Sequence, residues 1–141
     1  MKTVYTATMT NTGARRGKAV SPDGSFELQM VSPKEMGGNG KDPGTNPEEL
    51  FAAGYSSCFN GALQHKLRQD KIPFEGSTVK ADVSLLDDSS DNGYVLGVTL
   101  TVTVKGVTLD TAKEYTQKAH AFCPYSKAIN GNVDVKFNVE D

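Results

Sequence analysis

The stretch Asn46-Pro47-Glu48-Glu49-Leu50-Phe51-Ala52-Ala53-Gly54-Tyr55-Ser56-Ser57-Cys58-Phe59 decides the fold. Asn46 is a capping residue, Pro47 fits the first helical position, and Glu48 and Glu49 put negative charge at the positive end of the helix dipole. Glu49 also stands three residues after Asn46, the spacing of a capping box. These signals predict a helix running to about Asp70 and stopping before Pro73. From Leu50 to Leu63 it is apolar or small on nearly every face, and a helix apolar all round is a buried one. A central helix with Cys58 deep within it is therefore expected.

Upstream of this helix, Met36-Gly37-Gly38-Asn39-Gly40-Lys41-Asp42-Pro43-Gly44 is the one long loop. It lies too near the start to divide two domains, so a single domain over residues 1–141 is expected. Thr3 to Met9 and Ser25 to Val31 read as strands, the second with Phe26, Leu28 and Met30 alternating with polar neighbours. Between them, Thr12-Gly13-Ala14-Arg15-Arg16-Gly17 reads as a turn into a short strand, Lys18 to Ser21. Ser21-Pro22-Asp23-Gly24 is a second turn.

Downstream, Val79, Ala81, Val83 and Leu85 alternate with Lys80, Asp82 and Ser84. Tyr94, Leu96, Val98, Leu100, Val102 and Val104 follow the hairpin signal Asp91-Asn92-Gly93. A helix over about Thr108 to Phe122 carries Ala112, Tyr115, Ala119 and Phe122 at helical spacing, and Pro124 ends it. After Asn130-Gly131, a last strand puts Val133, Val135, Phe137 and Val139 on one side. The fold class is α+β, an antiparallel sheet packed on one or two helices.

The formal net charge of −2 gives no basic excess to attract nucleic acid or an anionic membrane. With 23% charged and 37% hydrophobic residues the chain is expected to be globular rather than disordered. Its longest uncharged stretch, Leu50 to His65, contains Ser56, Ser57, Asn60 and Gln64 and falls short of the roughly 18 apolar residues of a membrane span. The first residues lack the apolar core of a signal peptide. A cytoplasmic protein without a membrane span is expected.

There are two cysteines, too few for a small secreted disulfide scaffold. In a reducing compartment they are either inert core residues or a chemical pair. Cys58 taken alone reads as a core cysteine, whose burial raises the thiol pKa. The helix dipole fades within the first turn, so a reactive Cys58 needs a cation brought from elsewhere. Cys123 sits where Pro124 breaks the second helix, at an edge where its thiol could swing. Arg15 and Arg16 are the candidate cations: an arginine stays charged when buried, and its fork can hold a carboxylate while facing a thiolate. Glu48 and Glu49 are the candidate carboxylates, although first-turn acids that offset the dipole need no other role. In a continuous helix Glu48 lies about 15 Å along the axis from Cys58. Either the helix is interrupted near Gly54, or the arginine bridges the gap, or Glu48 serves a second protomer; a site shared in a homodimer is the favoured reading.

At these residues the chain resembles a known family. Gly44-Thr45-Asn46-Pro47-Glu48-Glu49-Leu50-Phe51-Ala52-Ala53-Gly54-Tyr55-Ser56-Ser57-Cys58-Phe59 is similar to the nucleophile region of the organic hydroperoxide resistance proteins, in the OsmC/Ohr superfamily. Ala119-His120-Ala121-Phe122-Cys123-Pro124-Tyr125-Ser126 resembles that family's resolving-cysteine region, and Thr12-Gly13-Ala14-Arg15 its arginine loop. The family usually has a glycine before the arginine and an acid after it, where this chain has Ala14 and Arg16. Arg15 is chosen over Arg16 because its spacing from Gly13 and Gly17 matches the family loop.

The resemblance implies antiparallel sheets packed around two main helices in an intertwined homodimer. It implies a thiol peroxidase in which Cys58 attacks an alkyl or fatty-acid hydroperoxide and becomes a sulfenic acid, which Cys123 condenses to a disulfide. Arg15, paired with Glu48, would lower the Cys58 pKa and orient the peroxide. A lipoyl-type dithiol, dihydrolipoamide or a lipoylated protein, would act as external reductant, with no bound metal, haem or flavin. An apolar surround from Leu50, Phe51, Tyr55 and Phe59 would favour an alkyl peroxide, though as bare aromatics these read as core.

Three other readings compete. A metal-binding stress protein could use His120 and Cys123, three apart on a helix, with His65 beyond Cys58, but the closely paired cysteines of structural zinc sites are absent. A cysteine hydrolase needs a histidine base beside Cys58, and His65 is about 10 Å further along the helix. A non-catalytic acyl-chain binder would keep its function with Cys58 replaced by serine.

Overall fold

A computed structural model describes all 141 residues. The chain falls into two compact units, Met1–Leu50 and Phe51–Asp141.

The first unit is built on a three-stranded antiparallel sheet of β1 (Thr10–Thr12), β2 (Lys18–Val20) and β3 (Glu27–Gln29), in that order. The β1–β2 turn is a 3-10 turn over Ala14–Arg16, and Gly17 closes it where a Cβ would lie 1.7 Å from the Thr12 carbonyl oxygen. Asp23 accepts hydrogen bonds from the Ser25 amide and from the hydroxyls of Ser21 and Ser25, so the second turn extends to Ser25. That delays β3 to Glu27, a shorter strand than Ser25 to Val31. Past β3, Met30 is buried and forms a parallel bridge with Thr45. Thr45 N–H donates to Gln29 O, and Val31 N–H to Thr45 O. These bonds seat the residue just before the long helix against the end of β3.

The strand expected over Thr3 to Met9 is not formed: Met1 to Met9 lies outside regular structure and is exposed, and pairing begins at Thr10. A strand needs a neighbouring edge to satisfy its amides and carbonyls. β2 offers partners to Thr10, Asn11 and Thr12 only.

The long helix α1 (Pro47–Gln69) starts and stops as expected. Asn46 Oδ1 accepts from Glu49 N–H at 2.8 Å while Asn46 Nδ2 donates to Glu49 Oε1 at 3.1 Å, a capping-box variant with an asparagine at the cap. It runs without interruption through Gly54. At its end Lys71 takes a left-handed φ of 56°, and Ile72 N–H returns to Leu67 O.

In the second unit, β4 (Gly76–Asp88) and β5 (Gly93–Lys105) form one antiparallel hairpin paired along its whole length. Its turn is tied by Asp91 Oδ1, which accepts from Gly93 N–H at 2.8 Å. α2 (Leu109–Phe122) is capped by Thr108, whose side chain accepts from Thr111 N–H. A short helix not anticipated from sequence, α3 (Pro124–Ile129), follows at once. β6 (Val135–Glu140) then lies on the free edge of β5, parallel to it. The sheet is thus mixed rather than antiparallel: α2 and α3 cross over between two strands of one sheet, and such a crossover returns the chain in the same direction.

The core of this unit joins Val98, Leu100, Val102 and Val104 of β5, Ala112, Tyr115 and Ala119 of α2, and Tyr55, Phe59, Leu63 and Leu67 of α1. Leu63, Leu67 and Leu100 are fully buried, each worth roughly 1.5–3 kcal/mol of apolar burial. The expectation that α1 is buried on all sides is corrected. Buried Tyr55, Phe59, Leu63 and Leu67 recur every four residues, joined by Ala62, while Ala53, Ser57 and Gly61 are exposed. Their side chains are too small to carry much apolar area, so composition overstated how hydrophobic that face is. No helix is long and apolar enough to cross a membrane.

Candidate active site

Each unit holds one of the two residue pairs singled out from sequence. In the first unit, Asn11 shapes the arginine turn. Its Oδ1 accepts from Ala14 N–H at 3.1 Å, and its Nδ2 donates to the carbonyls of Ala14 and Lys18. Ala14 takes φ 53°, a left-handed conformation that suits the glycine usual at this position. The turn presents Arg15 to Glu48 in the first turn of α1. Nη1 donates to Oε2 at 2.9 Å and Nη2 to Oε1 at 2.6 Å, a fork-to-fork contact. The Arg15 hydrogen bonds hold the Glu48 carboxyl below the usual range, and the same bonds raise the Arg15 pKa. Arg16 makes no such pair; it is exposed and lines an open cavity with Gln29, Met30, Asn39 and Asp42. Glu49 is used by the helix cap and by Thr45.

In the second unit, Cys58 lies on α1, half-buried, and Cys123 is the fully buried residue between α2 and α3. Cys123 Sγ donates to Cys58 Sγ at 3.5 Å, although the two are 65 positions apart. A disulfide requires the sulfurs to close to about 2.05 Å, so a small movement would join them. Burial pushes the Cys58 thiol up and Cys123 adds to this; a hydrogen bond with the Tyr125 backbone opposes it. No cation is among these influences, so a reactive Cys58 still needs one.

The histidines are engaged elsewhere. His65 stacks on Phe122 at 5.0 Å between centroids, and His120 meets Phe137 edge-on at 4.9 Å. Burial lowers the His120 pKa. Neither imidazole is a hydrogen-bond partner of Cys58, the contact a hydrolase would need. No group of three or more His, Cys, Asp or Glu side chains is arranged to hold a metal ion.

Two features around the thiols went unread in the sequence. Tyr55 Oη and Ser126 Oγ share a buried 2.7 Å hydrogen bond, and the Tyr125 ring stacks on Tyr55 at 5.9 Å. A Cβ at Gly54 would lie 2.6 Å from Tyr125 Oη. The available signal was a glycine inside a strong helix, but Gly61 gives the same signal where a Cβ would meet nothing within 4 Å. Phe59 falls in the core cluster and Phe51 beside it, the reading given to bare aromatics.

An α+β chain with one thiol on its long helix and a second facing it from the break between two others is the class defined by this fold and its sulfurs. The OsmC-like protein family matches residues 38–138. The organic hydroperoxide resistance protein-like 2 of Staphylococcus epidermidis is 46% identical over 136 residues, covering 96% of this chain and 95% of that protein. The crystal structure of the organic hydroperoxide resistance protein OhrB of Bacillus subtilis superposes with a TM-score of 0.90 at 43% identity, covering 98% of this chain and 100% of that one. A crystal structure of an organic hydroperoxide resistance protein from Legionella pneumophila gives 0.92 at 40% identity, covering 99% and 100%. The chain belongs to the OsmC family, among its organic hydroperoxide resistance proteins.

Proposed function

We propose that the protein is a cytoplasmic thiol peroxidase that reduces organic hydroperoxides to alcohols. The observation that carries this is the 3.5 Å approach of Cys123 to Cys58. The Cys58 thiolate attacks the terminal peroxide oxygen, the O–O bond breaks, and the alkoxide takes a proton to leave as the alcohol. Cys58 is left as a sulfenic acid. The Cys123 sulfur then displaces that oxygen as water and closes a disulfide. An external dithiol of the lipoyl type, free or carried on a protein, restores both thiols by two exchanges.

In this reading the positive charge that favours the thiolate comes from Arg15, oriented by Glu48, and the working form is a homodimer. An arginine suits the task because its charge survives partial burial while one edge stays bound to a carboxylate. The relatives named for organic hydroperoxide resistance support the substrate class. The test is consumption of tert-butyl hydroperoxide with dihydrolipoamide as reductant. Cys58→Ser should abolish consumption, and Cys123→Ser should allow one turnover and then stall. A Cys58→Ser variant that consumes the peroxide at the parent rate ends this reading.

A further inference from the structure

We propose that the Tyr55–Ser126 hydrogen bond and the seating of Tyr125 on Gly54 form a clamp that sets how fast Cys123 closes on oxidised Cys58. The proposal rests on the dithiol reading above and assigns positioning residues to its second step.

Cys123 is a single residue between two helices. Its N–H closes α2 by donating to Ala119 O at 2.8 Å, and its carbonyl accepts from Lys127 N–H at 3.0 Å as α3 begins. α2 is anchored in the core through Tyr115 and Ala119. α3 has six residues, Pro124 at its start and no side-chain cap, so little within the helix holds it. Its attachment comes from side chains that meet α1. Ser126 is 1% exposed and Tyr55 fully buried, and their hydroxyls meet at 2.7 Å. The Tyr125 ring lies on Tyr55 and edge-on to Phe51, in space that a side chain at Gly54 would fill. The first turn of α3 is thus fastened to α1 at Gly54 and Tyr55, just beyond the residue that carries the second sulfur.

Once Cys58 is a sulfenic acid, two reactions compete for it. In one, the Cys123 sulfur bonds to the Cys58 sulfur, the S–O bond breaks, and the hydroxyl leaves with the Cys123 proton as water. In the other, the sulfenate attacks a second hydroperoxide, the O–O bond breaks, an alcohol is released and Cys58 becomes a sulfinic acid. A sulfur held in range favours the first, because a fixed near-attack geometry removes the cost of finding it. Loosening the clamp should leave Cys58 oxidation alone and slow disulfide closure.

The experiment compares the parent with Ser126→Ala, Tyr55→Phe and the double variant. The double variant removes both polar partners, which is far less damaging than orphaning one of them, so it serves as the folded reference. Rapid quench after one equivalent of tert-butyl hydroperoxide, read by mass spectrometry, gives sulfenic acid formation and disulfide formation separately. Excess peroxide gives the yield of sulfinic acid. The expected result is Cys58 oxidation at the parent rate, disulfide closure slowed about tenfold, the equivalent of one buried hydrogen bond, and more sulfinic acid. A folded double variant that closes its disulfide as fast as the parent, or faster, overturns the clamp. A parent that forms no Cys58–Cys123 disulfide at all overturns the dithiol reading itself, a separate result.

Discussion

Arg15 and Glu48 meet as two planar forks, with Nη1 at 2.9 Å from Oε2 and Nη2 at 2.6 Å from Oε1, across 33 residues of chain. The contact ties the β1–β2 turn to the first turn of α1 within one unit. It therefore has a structural consequence that can be measured apart from any activity.

The Arg15 hydrogen bonds hold the folded Glu48 carboxyl below its ordinary 4.5. A carboxyl with a depressed folded pKa contributes stability that is complete above its unfolded pKa and is lost as pH falls through the folded value. Glu48→Gln should cost about 1 kcal/mol near pH 7, the scale for a partly exposed charge pair. The gap should close in acid, below the ordinary carboxylate range, as the parent's carboxyl takes up its proton. Urea denaturation at neutral and at acid pH measures it. A gap that stays constant into acid would mean that charge plays no part.

Ala14 stands at φ 53° where the family usually has glycine. A left-handed L-residue costs about 1–2 kcal/mol, and glycine returns part of that by its larger unfolded freedom of about 0.5–1 kcal/mol. Ala14→Gly should therefore raise stability by about 0.5–1 kcal/mol, read as a higher urea midpoint at unchanged slope. A lower midpoint would show that Asn11, which binds both the amide and the carbonyl of Ala14, has already absorbed the strain.

Cys58 is pushed above its ordinary 9.0 by burial, with a further push from Cys123. If Arg15 supplies the opposing charge, Arg15→Ala should move the Cys58 titration upward. In the Cys123→Ser background, thiolate absorbance against pH reports Cys58 alone. The expected midpoint is higher without Arg15 than with it, because removing a cation disfavours the thiolate. Peroxide consumption at neutral pH should fall by about tenfold or more with the lost thiolate. Identical midpoints in the two proteins would return the charge to another source.

What could be read from sequence was local. Asn46 and Glu49 sit within one turn of each other, so their reciprocal cap is written in four adjacent letters. The β4–β5 hairpin announced itself by Asp91-Asn92-Gly93 and two alternating runs. The direction of β6 was not visible, because alternation states which face a strand buries and not which way it runs. The buried side of α1 was obscured by Ala53, Ser57 and Gly61, small residues that satisfy an apolar pattern without burying area. Thr3 to Met9 had the alternation of a strand but no edge in its own chain. Cys58 and Cys123 carried no mutual signal in spacing; only the family resemblance paired them, and their 3.5 Å approach depends on how α2 and α3 pack against α1. Asn11 was passed over because its work is on backbone groups of a turn whose geometry no pattern displays.

Gly54 and Gly61 both lie in α1, two turns apart, and offer a controlled comparison. A Cβ at Gly61 would meet nothing within 4 Å, so Gly61→Ala should gain about 0.5–1 kcal/mol from the lower backbone freedom of alanine. A Cβ at Gly54 would lie 2.6 Å from Tyr125 Oη and 3.1 Å from two ring carbons. The ring is 39% exposed, but swinging aside would give up its stack on Tyr55 and its edge contact with Phe51. Gly54→Ala should therefore lose about 1–2 kcal/mol, the cost of overpacking, in spite of its better helix propensity. Adding Tyr125→Phe removes the nearest atom and should recover part of the loss, while the ring carbons keep the rest. Thermal melts of the three variants beside the parent decide the matter. Equal gains from Gly54→Ala and Gly61→Ala would show that the tyrosine ring does not occupy that face of the helix, and the clamp would lose its support.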